Sequence, residues 1–537
     1  MNVSRINIKP IAFTLLFLIF TVGMFAEKVL IYAEQEKPLS YFPYISDDPI
    51  TIRVLDLLYE TLVKDFSDAV KTEENVTVLP LKSNLVNLST LRIDFSSSPH
   101  MSMSLRNNIY WGNGSKITPD DVIFTIENII KDKSFTTTYS YLAQTIREVR
   151  RKENSLEFTF YFPSQYMVNA LEFFVLPSRI QSASQLKELD KKIKLSDLKG
   201  YLSGPYFVEK EEPSRIIFVK NPKSNVPTKI DKVVLVKEEI SKNMVDKFLA
   251  GEIHLIAPVT VDSEFKKISH VEYSTIKSFP SFDRRFYYVA FNYDNEIFLD
   301  KKLRILMSKA IDRNEILNNI LMGYGQILSG PLHPSFPGSN PNVKPYEYNP
   351  EAVEELKNKY AGKLGKLTLL YARDPARRNE RLASAISEYL GAAGIRVELL
   401  GLSYDAYYQR LRSKDKKRFD LAIVEYYSNA TFTSLRPLLE DNGTLNFGNF
   451  NSKSNGSYDA DLTRLLQDVE GDNAFRMRQD VRIEKYRAIH KMCHENAYHI
   501  WLVAPQTVTY LNSEVVSVDY FVPDRPFKNI SEWNINK

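Results

Sequence analysis

This sequence contains little cysteine, little glycine and no large excess of either charge. Its 537 residues include one Cys and 19 Gly, which excludes a disulfide-stapled small domain and a collagen-like repeat. Lys and Arg total 70 while Asp and Glu total 66, so the formal net charge is +4 and no nucleic-acid partner is indicated. With 44% hydrophobic and 25% charged residues, the chain is neither disordered nor a multi-span membrane protein.

The sequence also lacks the motifs of common enzyme classes. It contains no G-x-S-x-G nucleophile elbow, no G-x-x-x-x-G-K-[ST] phosphate loop and no G-x-G-x-x-G dinucleotide turn, so no cofactor is predicted. Carboxylates are plentiful, but the sequence alone neither places two of them across a sugar nor excludes such a pair. A secreted hydrolase is therefore the minority hypothesis.

One segment near the C-terminal end contains the best candidates for metal binding. His490 and His494 are four residues apart, with Cys493 and Glu495 beside them, and such a spacing can hold zinc. The order H-x-x-x-H lacks the Glu of the metalloprotease motif H-E-x-x-H, and the flanking Tyr and Ile residues are typical of a packed helix. We therefore predict a structural histidine pair and no metal site.

Aromatic residues are unusually frequent, with 31 Tyr and 31 Phe. Aromatic rings provide contact surface at a low cost in conformational entropy, so this composition favours a ligand cavity or an interface. The use of aromatics as ordinary core residues explains it equally well.

The N-terminal 26 residues have the pattern of a secretory signal peptide. Arg5 and Lys9 precede an uncharged run at 11–26, after which the sequence turns polar. Sixteen helical residues span about 24 Å, less than the roughly 30 Å hydrocarbon layer, so a permanent membrane anchor is the weaker interpretation. No cysteine lies near the expected cleavage site after Ala26, which argues against a lipoprotein. We expect a periplasmic protein.

Two halves of different pattern follow. Residues 29–33 have the pattern of a strand and precede a predicted helix with Leu55, Leu58, Tyr59 and Leu62 on one apolar face. Short β-rich runs up to about residue 236 then indicate an antiparallel or mixed sheet. From residue 366 onward, alternating strands and helices indicate a doubly wound α/β half, so the expected fold class is α/β, with lobes around a cleft.

Several stretches resemble one family of binding proteins. The most specific is LRNNIYWGNGSKITPDDVIFTIE at 105–127, which includes a strong helix start at Thr118-Pro119-Asp120-Asp121. The others, in the expected order, are LLYETLV (57–63), SGPYFV (203–208), FLAGEIHLI (248–256), VAFNYDNEIFLDKKLRILMSKAIDRNEILNNILMGYG (289–325) and SYDADLTRLL (457–466). Together they resemble family 5 of the bacterial extracellular solute-binding proteins, the binding components of peptide-type ABC importers. His254 stands where the family usually has Asp.

The resemblance implies a type II periplasmic-binding-protein fold with two large α/β lobes around a cleft and a smaller insert lobe. After the signal peptide at 1–26, lobe I is expected to combine residues 27–47, 200–284 and 505–537. Lobe II is expected to be an insert at 48–199, and lobe III to comprise residues 285–504.

The resemblance also implies a function without catalysis. A member of this family captures an oligopeptide-type ligand by closing the cleft and delivers it to permease subunits in the membrane. We expect this chain to do so as a monomer, with no cofactor and no metal.

The expected ligand site lies at the end of a lobe III strand. Peptide binders of the family commonly have an Asp there that pairs with the amino terminus of the ligand, whereas this sequence has Asn429. The amide of Asn429 gives up the charge-assisted part of that hydrogen bond, about 1 kcal/mol or more, and Glu425 is the candidate substitute anchor. Tyr32, Tyr426 and Tyr427 are expected to line the cleft with them.

The departure at Asn429 leaves alternatives open. The same scaffold serves binders of non-peptide solutes such as a metal chelate, haem or an oligosaccharide. An orphan receptor that passes its ligand to a sensor is a further alternative.

Overall fold

The computed structural model describes residues 27–536, apart from 47, 67–70, 74–75, 88–89, 95–99, 133–141, 144–145, 154, 161–170, 225, 270–274, 283–284, 375–376, 428–434, 471–476, 478, 520 and 523–524. The predicted signal peptide lies outside the described residues.

The described strands are numbered in chain order. They are β1 (Val29–Glu34), β2 (Asp65–Phe66), β3 (Lys71–Glu73), β4 (Val76–Lys82), β5 (Thr90–Asp94), β6 (His100–Ser104), β7 (Ile146–Lys152), β8 (Ser155–Phe160), β9 (Tyr206–Glu212), β10 (Arg215–Lys220), β11 (Lys232–Lys237), β12 (Leu255–Thr260), β13 (Ile276–Phe282), β14 (Arg285–Phe291), β15 (Gly325–Ile327), β16 (Lys366–Ala372), β17 (Arg396–Leu402), β18 (Leu421–Tyr427), β19 (His499–Trp501), β20 (Val503–Asn512), β21 (Val516–Ser517) and β22 (Asn534–Ile535).

The described α-helices are numbered in the same way. They are α1 (Pro49–Leu58), α2 (Pro119–Phe124), α3 (Ala183–Lys192), α4 (Leu195–Leu198), α5 (Ser241–Leu249), α6 (Ser263–Ser269), α7 (Lys301–Lys309), α8 (Arg313–Ile320), α9 (Pro350–Leu364), α10 (Arg378–Ala392), α11 (Tyr404–Leu411), α12 (Arg436–Leu439), α13 (Ala460–Glu470) and α14 (Gln479–Glu495). A π-helical turn continues α2 over Thr125–Ile130, and short 3₁₀ helices cover Ser178–Ile180, Lys199–Tyr201, Glu296–Leu299 and Pro526–Glu532.

Three sheets organise these elements. The eight-stranded sheet has the order β13-β20-β12-β1-β11-β10-β9, with β15 added on β20, and β1 runs parallel to both β11 and β12. The seven-stranded sheet is formed by β2 to β8, and every pairing within it is antiparallel. The five-stranded sheet has the order β17-β16-β18-β14-β19, in which β16, β17 and β18 are parallel. The mixed sheet and the later α/β half predicted from the sequence are therefore confirmed.

Two large hydrophobic cores divide the molecule differently from the three sheets. One continuous core joins the eight-stranded sheet to the seven-stranded sheet, so that Leu30 and Val233 belong to the same cluster as Met101 and Phe158. The other core lies within residues 286–504, around the five-stranded sheet. The predicted lobe boundaries stay predictions, but β15 and the start of β20, both assigned to lobe III, pair within the eight-stranded sheet.

The C-terminal segment ties helix α1 to the seven-stranded part of the structure. The Arg525 guanidinium donates to the carboxylates of Asp56 on α1 and of Glu172, and Lys528 lies 3.0 Å from Glu172. Asp56 is 7% exposed, and removing one partner of so buried an ion pair typically costs about 3–5 kcal/mol. The network therefore ties the C-terminal segment to α1 and to the segment at 171–175, all of which pack in the core that the eight-stranded and seven-stranded sheets share.

Helix α1 is shorter than predicted. It ends at Leu58 because Tyr59 takes an extended conformation, with φ −130° and ψ 151°. The following backbone pairs with residues 171–175 instead, with Leu62 N–H donating to Phe173 O at 2.9 Å and Val63 N–H to Leu171 O at 3.1 Å. Tertiary pairing thus replaces the helix that the apolar spacing predicted up to Leu62.

Candidate functional site

Two short crossings, each between consecutive strands, join the eight-stranded and five-stranded sheets in the described part of the chain, and both lie at the same place. One runs from Phe282, the end of β13, to Arg285, the start of β14; the other runs from Trp501 to Val503. The pairing registers place both crossings at the carboxyl ends of β1 and β12 in one sheet and of β18 in the other. Ligands of open α/β sheets bind outside the carboxyl ends of strands, so the space between these two edges is the candidate cleft.

The edge of the five-stranded sheet contains a connected array of charged and hydroxyl groups. The Arg285 Nη1 donates to Glu425 Oε1 at 3.0 Å, and the Tyr287 hydroxyl donates to the same oxygen at 3.3 Å. The Arg378 Nη1 lies 3.5 Å from the Tyr287 hydroxyl oxygen. We call these four residues the Arg285–Arg378 array; it contains two guanidinium groups and one carboxylate.

The strand register and one helix start position this array. Tyr287 on β14 lies opposite Glu425 on β18, and Arg378 is the first residue of α10, which follows β16. Asp374 accepts hydrogen bonds from the backbone N–H groups of Arg378 and Asn379 at 2.9 and 2.8 Å, which orients the helix start. Burial raises the pKa of Tyr287 to about 12, so its hydroxyl stays protonated and can donate to Glu425.

The residues proposed from the sequence to line the cleft have different positions. Glu425 belongs to the array, with 22% of its side chain exposed. Tyr426 points to the opposite face of β18, where its ring packs 5.0 Å from Phe286 and is 6% exposed. The side chain of Tyr427 and the whole of Asn429 lie outside the described residues, so their roles stay predictions.

Tyr32 lies inside the large core rather than on an open surface of the structure. It is fully buried on β1, and its ring meets that of Phe527 edge to face with centroids 4.6 Å apart. Its hydroxyl has no hydrogen-bond partner among the described residues. Its contact with a ligand stays a prediction.

The edge of the eight-stranded sheet has its charges already paired. Glu34, the last residue of β1, accepts two hydrogen bonds of 2.7 Å from Arg53 on α1, and both side chains are almost fully buried. Asp48 caps α1 through the backbone N–H groups of Ile50 and Thr51. The array of the five-stranded sheet is therefore the more accessible charged group beside the cleft.

Sequence reasoning missed Arg285, Tyr287 and Arg378. A usable signal was present, since paired arginines occur in DRRFYY at 283–288 and in DPARRNER at 374–381. Arg285 and Arg378 come near Tyr287 only because β14 and the start of α10 lie at the same sheet edge, and that proximity is a property of the topology.

The histidine pair of α14 makes structural contacts, as its sequence context indicated. His490 Nε2 lies 2.8 Å from Ser329 Oγ, and His494 Nδ1 lies 3.0 Å from the carbonyl oxygen of Ser329. Cys493 is fully buried. Across the part of the chain that the structure describes, no group of three or more His, Cys, Asp or Glu side chains is placed to hold a metal ion.

The motif at 105–127 also has a structural role. Trp111 is 1% exposed, and its Nε1 lies 3.4 Å from Asp121 Oδ2. Asp121 accepts a hydrogen bond from the Thr118 N–H at 2.8 Å, as in a capping box, which confirms the predicted helix start. His254, at the position where Asp was expected, accepts a hydrogen bond from the Ile31 N–H at its Nδ1, at 3.1 Å, and so joins the starts of β1 and β12.

Comparison with known proteins identifies relatives over nearly the whole chain. Residues 100–443, more than half of the sequence, match the family described as bacterial extracellular solute-binding proteins, family 5. The oligopeptide-binding protein AppA of Bacillus subtilis is 21% identical over 525 residues, which are 93% of this chain and 90% of that protein. Di/tripeptide-binding protein 1 of Pseudomonas aeruginosa is 24% identical over 326 residues, which are 56% of this chain and 59% of that protein.

Solved structures share the fold. AppA of Bacillus subtilis in complex with a nonapeptide has a TM-score of 0.69 at 19% identity and covers 95% of this chain and 100% of its own. The periplasmic EDTA-binding protein EppA has a TM-score of 0.72 at 16% identity, with coverages of 95% and 97%. NikA of Staphylococcus aureus in complex with Ni(L-His)2 has a TM-score of 0.63 at 18% identity, with coverages of 93% and 98%.

These structures establish the type II periplasmic-binding-protein architecture for this chain, in agreement with the two sheet edges that face each other at the crossings. The family match extends from the seven-stranded sheet through the array to α12. The chain belongs to the bacterial extracellular solute-binding proteins of family 5.

Proposed function

We propose that this chain is the exported solute-binding component of an ABC importer, that it captures an oligopeptide-type ligand in the cleft, and that it delivers the ligand unchanged to permease subunits in the membrane. The observation that carries this proposal is its relationship, along nearly the whole chain, to oligopeptide-binding proteins.

The position of the cleft supports capture by closure. Two crossings connect the sheets, and each side of the cleft has its own hydrophobic core. An extended peptide bound between strand edges pairs through its main chain, which gives affinity without a strict sequence requirement. The ligand closes the cleft only if it binds the closed form more tightly than the open form.

The N-terminal sequence and the family support export and delivery. The pattern at 1–26 supports secretion to the periplasm, where a monomer would meet its permease. Among the described residues, no helix combines the length and the apolar character needed to cross a membrane.

The proposal includes no catalytic step. The contact between Ser329 and His490 resembles half of a nucleophilic dyad, but His490 is 1% exposed and its Nδ1 has no partner within the described parts of the chain. A catalytic histidine requires a group at that nitrogen to orient it and access to substrate at the other.

A metal chelate is the second candidate ligand, because Glu425 is already bound by Arg285 and Tyr287 and because Asn429 replaces the expected Asp. Two structural neighbours are named for EDTA and for a nickel–histidine complex.

Thermal unfolding with defined ligand pools tests the proposal. A ligand present at 100 times its dissociation constant adds about 2.7 kcal/mol to stability. We expect this stabilisation from oligopeptides, with intact peptide recovered afterwards by mass spectrometry. Stabilisation only by chelates or sugars would replace the proposed ligand class, and cleaved peptide would contradict the absence of catalysis.

A further inference from the structure

We propose that the turn between α11 and β18 is an electrostatic contact surface for an anionic phospholipid membrane, and that it keeps the exported protein near the bilayer without a lipid anchor. This inference goes beyond ligand capture and uses only the proposed export, which places the chain beside a membrane. We call residues 412–417 the basic turn.

The segment around the basic turn has a one-sided charge. Residues 410–418 (RLRSKDKKR) contain six cationic side chains and one carboxylate, although the whole chain has a formal net charge of only +4. Such a concentration of charge in a nearly balanced chain creates a local positive potential, which attracts an anionic partner.

Two of the six cations are neutralised within the fold. The side chain of Arg418 is 3% exposed and pairs with Asp294 at 3.0 Å, and Arg410 Nη1 lies 3.9 Å from Asp415 Oδ2. The other four cations are exposed, and none is within 4.0 Å of a carboxylate in the described part of the chain; they are Arg412, Lys414, Lys416 and Lys417. The basic turn therefore has four charges available to a partner.

Interior side chains hold the backbone of the basic turn in place. Asn292 Nδ2 donates to the carbonyl oxygen of Lys416 at 2.8 Å, and Arg410 Nε donates to the carbonyl oxygen of Arg418 at 2.7 Å. Because the backbone is already ordered, contact with a partner costs conformational entropy only in the side chains. The lysines are thus presented together on a fixed turn.

The basic turn and the candidate cleft lie at opposite edges of the five-stranded sheet. The turn precedes Leu421, the first residue of β18, whereas the carboxyl ends of the parallel strands β16, β17 and β18 lie at the cleft. A strand of seven residues, such as β18, spans about 20 Å. A partner bound at the basic turn therefore leaves the cleft free.

A flat polyanionic surface fits this arrangement better than a small anion does. Arg412 lies 5.4 Å from the ring centroid of Tyr408, and the three lysines are point charges without the fork geometry that selects a single anion. Each such cation strengthens binding to an anionic membrane about fivefold. The contact is reversible and weakened by salt, so it concentrates the protein at the surface where a permease is embedded.

Co-sedimentation of the mature chain, residues 27–537, with vesicles tests this proposal. Vesicles of phosphatidylglycerol and phosphatidylcholine in equal parts are compared with vesicles of pure phosphatidylcholine, at about 50 mM and about 500 mM salt. At low salt we expect binding to the anionic vesicles to be about tenfold or more stronger than to the neutral vesicles. At high salt we expect this binding to be lost.

A triple variant locates the contact on the basic turn. Three exposed lysines are replaced together, as Lys414→Gln, Lys416→Gln and Lys417→Gln. Removal of three charges is expected to weaken binding to the anionic vesicles about 100-fold.

A second triple variant is the matched control. It removes the same charge from exposed lysines around the end of α3, two of which pair with Glu188, as Lys191→Gln, Lys192→Gln and Lys194→Gln. Because these lysines lie outside the basic turn, binding to the anionic vesicles is expected to stay within about threefold of the unmodified chain.

The outcomes separate this inference from the proposed function. Equal losses in the two triple variants, or equal binding to neutral and anionic vesicles, would overturn the membrane contact. Binding to polyglutamate but not to vesicles would also overturn it and would assign the basic turn to an acidic protein.

Calorimetry with alanine peptides of two to five residues provides the second readout. Both triple variants are expected to bind these peptides as the unmodified chain does, because the cleft lies at the opposite edge of the sheet. Loss of vesicle binding only in the variant of the basic turn, with peptide binding unchanged, would support the inference. Vesicle binding without any peptide binding would contradict the proposed ligand and leave the membrane contact intact.

Discussion

Among single residues, the buried histidine of α14 has the clearest measurable consequence. His490 is 1% exposed, and burial, assisted by the neighbouring His494, lowers its pKa to about 4. A histidine in the unfolded chain has a pKa of about 6.5. As the pH falls from about 6.5 towards 4, the unfolded chain therefore binds a proton that the folded chain does not, and stability declines by about 1.4 kcal/mol per pH unit.

The substitution His490→Gln is expected to remove the contribution of His490 to the acid sensitivity, while the buried His499, whose pKa burial lowers to about 3, keeps its own contribution. Between about pH 7.5 and about pH 5, unmodified protein should lose about 2 kcal/mol more unfolding free energy than the variant, as measured by urea denaturation. Ser329→Ala is the control, because it deletes the hydrogen bond but keeps the buried imidazole, and it should stay as acid-sensitive as the unmodified protein. Parallel pH profiles for His490→Gln and the unmodified protein would contradict this account.

The family resemblance led to one residue of the candidate site, whose contact with a ligand stays a prediction. The sequence singled out Glu425 because a carboxylate was needed near Asn429, and Glu425 does lie at the sheet edge. It gave no reason to expect that Arg285 already binds this carboxylate, because the pairing depends on the antiparallel register that places Tyr287 opposite Glu425. The charge balance of a site is decided by side chains that are distant in sequence.

At the scale of elements, local sequence signals predicted helices and strands well where tertiary contacts favoured the same conformation. The helix start at 118–121 is observed as predicted, because capping is a local backbone requirement. Gly394, which follows α10, has a positive φ of 73°, a conformation that favours glycine after a helix. The prediction from apolar spacing that α1 continues to Leu62 was wrong, because residues 60–63 form hydrogen bonds with a segment more than 100 residues away. The π-helical turn that follows α2 also had no local signal.

Two glycines of the Trp111 turn give a prediction at this scale. A Cβ on Gly112 would lie 2.2 Å from Lys199 O and 2.5 Å from the Phe207 ring, whereas Gly114 has open space and only a positive φ of +85°. Gly112→Ala is expected to cost about 3 kcal/mol, because it forces the turn away from residues 199–207. Gly114→Ala is expected to cost about 1–2 kcal/mol, from backbone strain alone.

Urea denaturation of the two alanine variants measures this difference directly. The substitutions are chemically identical and two residues apart, so each is the control for the other. Equal losses would show that close packing at Gly112 contributes nothing beyond backbone strain.

At the scale of the whole molecule, the sequence predicted two bodies around a cleft but not how the sheets combine. The composition and the strand patterns indicated an α/β protein with lobes, and the family resemblance extended this to three. The packing joins the eight-stranded and seven-stranded sheets through one core and through the Arg525 network, while the five-stranded sheet has its own core. Which lobes share a core depends on contacts such as Tyr32 with Phe527, separated by nearly the whole chain.

This arrangement predicts which distances change when a ligand binds. Pairs of spin labels on cysteines are placed at exposed lysines and arginines, and the native Cys493 is fully buried and stays unlabelled. The pair Lys210→Cys on β9 and Arg464→Cys on α13 has one label on each of the two bodies, and the pair Lys210→Cys and Lys192→Cys lies within the joined body. We expect the distance between the labels at 210 and 464 to shorten when the most stabilising alanine peptide binds, and the distance between the labels at 210 and 192 to stay constant. Both distances are measured by double electron–electron resonance. The reason is that the joined core and the two crossings leave the five-stranded sheet as the part that moves. Shortening of both distances would therefore contradict a single joined body, and constancy of both distances would contradict closure of the cleft.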